Sequence, residues 1–133
     1  MGGLRFAASL ALLALPSSAQ ADWTARQERI IRAANAFVMA DMWAYTNSCN
    51  VVNGKVRYTA GTQRVKAMIP AMEKELGAYP VYEIFVVRAP TFGPKAHPPR
   101  RCKTLKHYAP EKERIMVRFE QAVDALEGTL VAE

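Results

Sequence analysis

The N-terminal segment constrains this chain most, because it decides in which compartment the rest of the chain folds. Arg5 precedes an apolar run from Phe6 to Leu15, and the small-residue tripeptide Ala19-Gln20-Ala21 follows. A positive start, a short apolar run and an A-x-A end are the three parts of a secretory signal peptide. The run is too short to span a bilayer. We therefore expect residues 1–21 to be a signal peptide that is cleaved after Ala21.

Cleavage would leave residues 22–133, a length that suits a single small globular domain. No apolar run in this part of the sequence is long enough for a transmembrane segment, and no cysteine follows the cleavage site to carry a lipid. The expected location of the mature protein is therefore the periplasm or the extracellular space.

Export changes how the cysteines are interpreted, because disulfides persist in oxidising compartments. Cys49 and Cys102 are the only two cysteines in the chain, so elimination predicts one bridge between them. In the chain-entropy model, closing a loop of this length stabilises the fold by about 4 kcal/mol. A metal site is poorly supported by two cysteines at this separation, and the sequence has no signature of a catalytic thiol.

The first and last helices have clear sequence signals. Thr24-x-x-Gln27 is a capping box, which predicts a helix from Thr24 to about Thr46. Pro110 suits the first position of another helix, and apolar residues repeat at helical spacing after it. Gly128 is expected to end this last helix, and residues 129–133 are expected to fray.

A third helix is predicted in the middle of the chain. Apolar residues at helical spacing indicate that it runs from Thr62 to Leu76, with Gly77 as a C-cap. Pro70 interrupts the pattern. Either the helix kinks at this proline, or a new helix starts with Pro70 in its first turn.

Two other segments are ambiguous. Asn53-Gly54 between short β-branched runs is a hairpin signal, and a loop is the alternative. Residues 80–89 fit a short buried strand or a short buried helix, and their composition favours the strand. The predicted fold is mainly α, with about three main helices and one disulfide. The alternative is an α+β fold with a short antiparallel hairpin or small sheet.

The charge of the mature domain is concentrated in one segment. Of the 18 Lys and Arg residues only Arg5 lies in the signal peptide, which leaves 17 against 12 Asp and Glu. Between Ile84 and Pro110 there are six basic residues and no acid. A disulfide-tethered basic segment suits an anionic partner, and a solvated surface is the alternative. The candidate binding residues are Lys95, Arg100, Arg101, Lys103 and Lys106.

The expected partner of this segment is an anionic envelope component or an acidic protein. Nucleic acid is disfavoured, because an exported protein seldom meets it and the sequence has no nucleic-acid motif. The sequence also lacks the H-E-x-x-H, C-x-x-C, P-loop and G-x-S-x-G patterns, so it predicts no catalytic residue, metal site or cofactor.

The predicted function is therefore that of an exported, non-enzymatic accessory or binding protein, such as an inhibitor or an envelope-associated module. One alternative is a basic phosphodiesterase or nuclease that uses His97 and His107 as general acid and base. Another is an envelope stress chaperone, which only the small, exported, helical character of the chain suggests.

Three features of the first helix need a structural explanation. Asp41 falls on the apolar face between Phe37 and Tyr45, and we expect it to pair with an arginine or with backbone donors. Trp43 lies at the flank of the helix, where we expect it to pack beneath a loop rather than serve as a contact residue. Core filling is expected for the methionines of the helices, which are Met39, Met42, Met68, Met72 and Met116.

Overall fold

The computed structural model describes residues 22–86 and 110–132. These ranges contain three long helices, α1 (Ala25–Asn47), α2 (Gly54–Leu76) and α4 (Pro110–Val131), and a single-turn helix, α3 (Ala78–Val81). A 3-10 turn (Ser48–Asn50) follows α1, and a π turn (Tyr82–Val86) follows α3. Neither described range contains a strand, which confirms the mainly α class and shows that the α+β alternative is wrong for these residues.

The capping box at the start of α1 forms as predicted. The backbone N–H of Gln27 donates to Oγ1 of Thr24 at 3.1 Å, and the backbone N–H of Thr24 donates to Oε1 of Gln27 at 2.8 Å. These bonds satisfy two donors that a helix start leaves without partners, and such a cap stabilises a helix by about 1 kcal/mol.

Asn53-Gly54 starts α2, so the hairpin and the loop are both wrong here. Asn53 adopts a left-handed conformation, with φ of 53°, directly before the first helical residue. A Cβ atom on Gly54 would lie 1.9 Å from the carbonyl oxygen of Ser48. The dipeptide therefore makes a tight connection between two helices, because asparagine tolerates positive φ and glycine allows the backbones to approach closely.

Helix α2 continues through Pro70, so the predicted restart at this residue is wrong. Pro70 is exposed, whereas Met68 and Met72 on either side of it are buried. Packing of the buried face, which includes Met68 and Met72, compensates for the one backbone hydrogen bond that proline cannot make. The predicted C-cap is confirmed, because Gly77 adopts φ of 94° and its N–H donates to the carbonyl of Glu73 at 2.8 Å.

The segment from Pro80 to Val86 is helical rather than extended, which corrects the preference for a strand. Val81, Ile84 and Phe85 are buried at helical spacing, and the ring of Phe85 lies 6.1 Å from that of Phe37. Composition favoured a strand because β-branched and aromatic residues are common in strands, but packing against α1 determines the outcome. Residues 87–89 lie outside the described ranges.

Helix α4 runs through Gly128 to Val131, so the predicted end at Gly128 is wrong. The guanidinium of Arg26 donates to the carbonyl of Leu130 at 2.9 Å and also to the carbonyl of Ala132. Because these terminal carbonyls have a cationic donor, the last turn stays helical where fraying was expected.

One ion pair and one hydrogen bond show how the three long helices are arranged. Arg26, at the start of α1, bonds to Glu75 near the end of α2, and Lys112 at the start of α4 bonds to Asn47 at the end of α1. Helix α1 therefore runs antiparallel to both α2 and α4. The core between the helices is built around Ile30, Phe37, Val38, Tyr58, Val65, Met72, Met116, Phe119, Val123 and Leu126.

None of the described helices combines the length and the apolar composition that a bilayer crossing needs. This agrees with the expectation that residues 22–133 contain no transmembrane segment, for the part of that range that the structure describes.

Candidate binding groove

An apolar groove runs along the surface between α1 and α4. Its volume is about 690 Å³. Small residues form its floor, because Ala40 and Ala122 are partly buried against the core. Its described lining consists of Ala36, Met39, Ala40, Trp43, Ile115, Arg118, Gln121 and Ala122. The α1 members recur every three or four residues, which places them on one face beside the core face of the helix.

Large apolar side chains along this groove are exposed. Met39 is 64% exposed, Met42 is 51% exposed and Trp43 is 62% exposed. Core filling is therefore confirmed for Met68, Met72 and Met116, which are buried, and wrong for Met39 and Met42. Trp43 likewise does not pack beneath a loop of the described residues. Contiguous exposed apolar surface of this kind is typical of interaction sites.

A second cavity of about 500 Å³ extends the groove toward the end of α1. It shares Met39, Trp43 and Ile115 with the first cavity and adds Met42, Thr46, Asn47 and Lys112. The combined lining spans α1 from Ala36 to Thr46, which is about 15 Å at the rise of an α-helix.

Hydrogen bonds organise this end of the groove. The Nζ atom of Lys112 donates to Oδ1 of Asn47 at 2.7 Å, and Nδ2 of Asn47 donates to the carbonyl of Trp43 at 2.8 Å. The amide of Asn47 thereby joins the two helices and holds the Lys112 ammonium at the groove.

The charges of α4 are divided between two sides of the helix. Arg57 of α2 forms ion pairs with Glu113 at 2.9 Å and with Glu120 at 2.7 Å, and Arg64 of α2 pairs with Asp124 at 3.0 Å. The guanidinium of Arg57 donates hydrogen bonds to Glu120 and Glu113, and these bonds raise the pKa of Arg57 and lower the pKa of Glu113.

The side of α4 that faces the groove presents cations instead. Arg118 and Lys112 line the two cavities, and no carboxylate occurs among their described lining residues. Within residues 22–86 and 110–132 Arg118 forms no ion pair. The groove is therefore apolar along its floor and positive along its α4 side.

Asp41 is fully buried on the opposite side of α1. The hydroxyl of Tyr58 donates to its Oδ1 at 2.7 Å, and no described residue donates a hydrogen bond to its Oδ2. The expectation of an arginine or backbone partner is wrong, because α2 supplies a tyrosine hydroxyl at this point. Burial raises the pKa of Asp41 to about 6, and the hydrogen bond from Tyr58 and the charge of Lys66 partly oppose this rise.

The basic residues predicted as a binding site all lie outside the described ranges. They are Lys95, Arg100, Arg101, Lys103 and Lys106. His97 and His107, which the phosphodiesterase alternative requires, also lie there. The anion-binding segment and that alternative stay predictions, as does the alternative of an envelope stress chaperone. Within residues 22–86 and 110–132, no three His, Cys, Asp or Glu residues are grouped as a metal site would require.

Cys49 lies in the 3-10 turn after α1 and is not a free thiol. Its expected partner, Cys102, lies outside the described ranges, so the Cys49–Cys102 pairing stays a prediction.

Sequence reasoning missed the groove, although a signal was present. Trp43, Met39 and Ala36 form a second apolar stripe beside the core face of α1, and Ile115 and Ala122 supply a matching stripe on α4. Periodicity alone does not say which of two neighbouring stripes is covered.

No protein-family model, curated protein or solved structure matches the chain. Similarity to a known protein therefore supplies no function for the groove.

Proposed function

We propose that the mature protein is an exported, non-enzymatic accessory protein that acts by binding a partner in the groove between α1 and α4. The observation that carries this proposal is the exposure of Met39, Met42 and Trp43, three large apolar side chains that lie together on one surface. A soluble domain of this size seldom leaves such side chains exposed together without a binding role.

The side chains that line the groove suit the binding of a partner. Thioethers, an indole ring and methyl groups give a partner apolar surface, and thioether side chains adapt to different shapes. The described charged residues of the lining, Arg118 and Lys112, are both basic, which suits electrostatic recognition of an anionic group. Asp41 has a raised pKa, but its carboxyl is fully buried in the core and does not line the groove.

The basic residues Lys95, Arg100, Arg101, Lys103 and Lys106 are a second proposed contact with an anionic envelope component or acidic protein. Their support is the concentration of positive charge in the sequence. The proposed disulfide would tether their segment at Cys49, two residues beyond Asn47 at the end of the groove. The groove and the basic segment would then contact neighbouring parts of one partner.

Affinity capture with groove variants tests the proposed function. The oxidised mature protein is immobilised and exposed to an envelope extract of its native host, beside the double variant Met39→Ser/Trp43→Ser. The matched control is Val56→Ser, because Val56 is 69% exposed on α2 and lies outside the groove. We expect the double variant to lose the retained component and the control to keep it. Equal retention by all three proteins would contradict the proposal.

A further inference from the structure

We propose that the occupant of the groove is an acidic amphipathic α-helix of a partner protein, an inference that rests on the proposed function. The groove lies between two antiparallel helices, α1 and α4; α1 supplies apolar residues at intervals of three or four, and α4 supplies Ile115 and Ala122, which are two turns apart on one face. A surface of this form accepts a further helix, whose apolar face packs into the groove between the pair.

The size of the groove fits a helix of a few turns. Its lining spans about 15 Å of α1, which equals about ten residues of a partner helix. Ala40 and Ala122 on the floor leave room for another helix to approach, while Met39 and Trp43 stand beside it as flexible and aromatic walls. Small residues at the centre with large residues at the sides suit helix packing.

The openness of the groove argues against a small amphiphilic molecule. Met39 and Trp43, one turn apart on α1, are each more than half exposed, so a small molecule lying against them would stay exposed to water along one side. Sites for small ligands usually bury about 70–90% of the ligand surface. A helix needs burial on only one face, because its other face can remain in water.

The charge of the groove determines the charge of the helix. Arg118 and Lys112 lie on the α4 side, about 9 Å apart along the helix axis, and the described lining contributes no carboxylate. A partner with acidic residues about two helical turns apart can pair with both cations. A basic partner would bring like charges together, which is unfavourable at an interface.

The same argument disfavours a second copy of the chain and the basic segment as occupants. A second copy that docks the same face would bring Arg118 and Lys112 toward their own counterparts. The basic segment between Ile84 and Pro110 contains six cations and no acid, so it does not complement a positive groove. The acid must therefore come from another protein.

Two synthetic helical peptides test this inference on the oxidised mature protein. Both carry the same leucine stripe, and the flanking positions are glutamate in one peptide and lysine in the other. In fluorescence anisotropy we expect the glutamate peptide to bind about tenfold more tightly than the lysine peptide at low salt. The difference should shrink at high salt, because salt screens exposed charges.

Variants identify the site of binding. Arg118→Glu should weaken binding of the glutamate peptide and strengthen binding of the lysine peptide. Trp43→Ser should weaken binding of both peptides. Val56→Ser should change neither. Arg118 is exposed and outside the core, so its replacement should preserve the fold, which the far-ultraviolet circular dichroism spectrum checks.

Several outcomes would overturn the inference. Equal binding of both peptides would remove the charge argument. Binding to phosphatidylglycerol vesicles without binding to the glutamate peptide would indicate a membrane surface, and a dimer that Trp43→Ser dissociates would indicate a second copy. If neither peptide binds while extract capture still depends on Met39 and Trp43, the helical occupant is wrong and the proposed function stands. If capture is also independent of these residues, both fail.

Discussion

The hydroxyl of Tyr58 on α2 donates a 2.7 Å hydrogen bond to Oδ1 of Asp41 on α1, in the middle of the core. The ring of Tyr58 also lies 5.2 Å from that of Phe119 and 6.0 Å from that of Tyr45, measured between ring centroids. One tyrosine thus connects the three long helices and provides the hydrogen bond that a buried carboxyl needs.

Stability should rise as the pH falls from about 6 toward 4. Burial raises the pKa of Asp41 from 3.8 to about 6, so between these values the folded state binds a proton that the unfolded state does not bind. Protonation of Asp41 therefore stabilises the fold by up to about 3 kcal/mol at the acidic end of this interval, and this contribution is lost above pH 6. Denaturant unfolding at a series of pH values measures how the free energy of unfolding changes with pH.

Asp41→Asn is the control for this pH dependence, because it keeps the shape of the side chain and removes its titration. Glu113, whose pKa Arg57 lowers, contributes a slope of opposite sign at lower pH, and this slope is present in both proteins. The difference between the two profiles therefore isolates Asp41. If the profiles of wild type and Asp41→Asn have the same slope between pH 4 and 6, the assignment to Asp41 is wrong.

Replacement of Tyr58 by phenylalanine should destabilise the protein more at pH 7 than at pH 4. The ring packing with Phe119 remains, but the carboxylate of Asp41 loses its hydrogen bond, at a cost of about 1–3 kcal/mol. The pKa of Asp41 should also rise further, because the hydrogen bond from Tyr58 lowers it. Tyr82→Phe, at a half-exposed site, is the matched control. An equal decrease in the free energy of unfolding at pH 7 and pH 4 would show that the hydroxyl acts independently of the charge of Asp41.

Replacement by alanine should change the stability of the fold in opposite directions at Gly61 and at Gly128. A Cβ atom on Gly61 would lie 2.4 Å from Cε2 of the fully buried Phe119, whereas a Cβ on Gly128 would meet no atom of the described residues within 4 Å. Gly61→Ala should therefore destabilise the fold by about 1–3 kcal/mol through overpacking. Gly128→Ala should stabilise it by up to about 1 kcal/mol, because alanine is the better helix former. Thermal unfolding compares the two, and a neutral Gly61→Ala would show that Phe119 can move aside.

The disulfide prediction is tested by peptide mapping without reduction. We expect one cross-linked species that contains Cys49 and Cys102, since the chain has no third cysteine. Reduction, or the Cys49→Ser/Cys102→Ser pair, should lower the free energy of unfolding by about 4 kcal/mol in the chain-entropy model. Two thiols that alkylate freely in the native protein would refute the bridge.

Signal-peptide cleavage has a direct measurement. N-terminal sequencing of protein isolated from the envelope of its native host should begin at Asp22, the residue after the Ala19-Gln20-Ala21 pattern. An Ala19→Leu variant should be processed more slowly, because the peptidase requires a small residue there, and Ser17→Ala should be processed normally. Retention of residues 1–21 in the isolated protein would contradict export by this route.

Local sequence signals predicted the elements whose limits depend on local bonds. The Thr24–Gln27 capping box and the Gly77 C-cap were both predicted and both form, because the partners lie within four residues of each other. Asn53-Gly54 and the segment from Pro80 to Val86 were not predicted correctly. Their local patterns fit more than one structure, and contacts with Ser48 and Phe37, respectively, decide between them.

The sequence by itself determined that the chain is mainly helical, where its first helix starts, and that its excess positive charge lies in one segment. Only the tertiary structure decided that Asp41 meets Tyr58, and that Met39 and Trp43 stay exposed while Phe37 and Val38 are buried. The physical reason is that periodicity marks the apolar faces of a single helix, whereas burial depends on which neighbouring helix packs against each face.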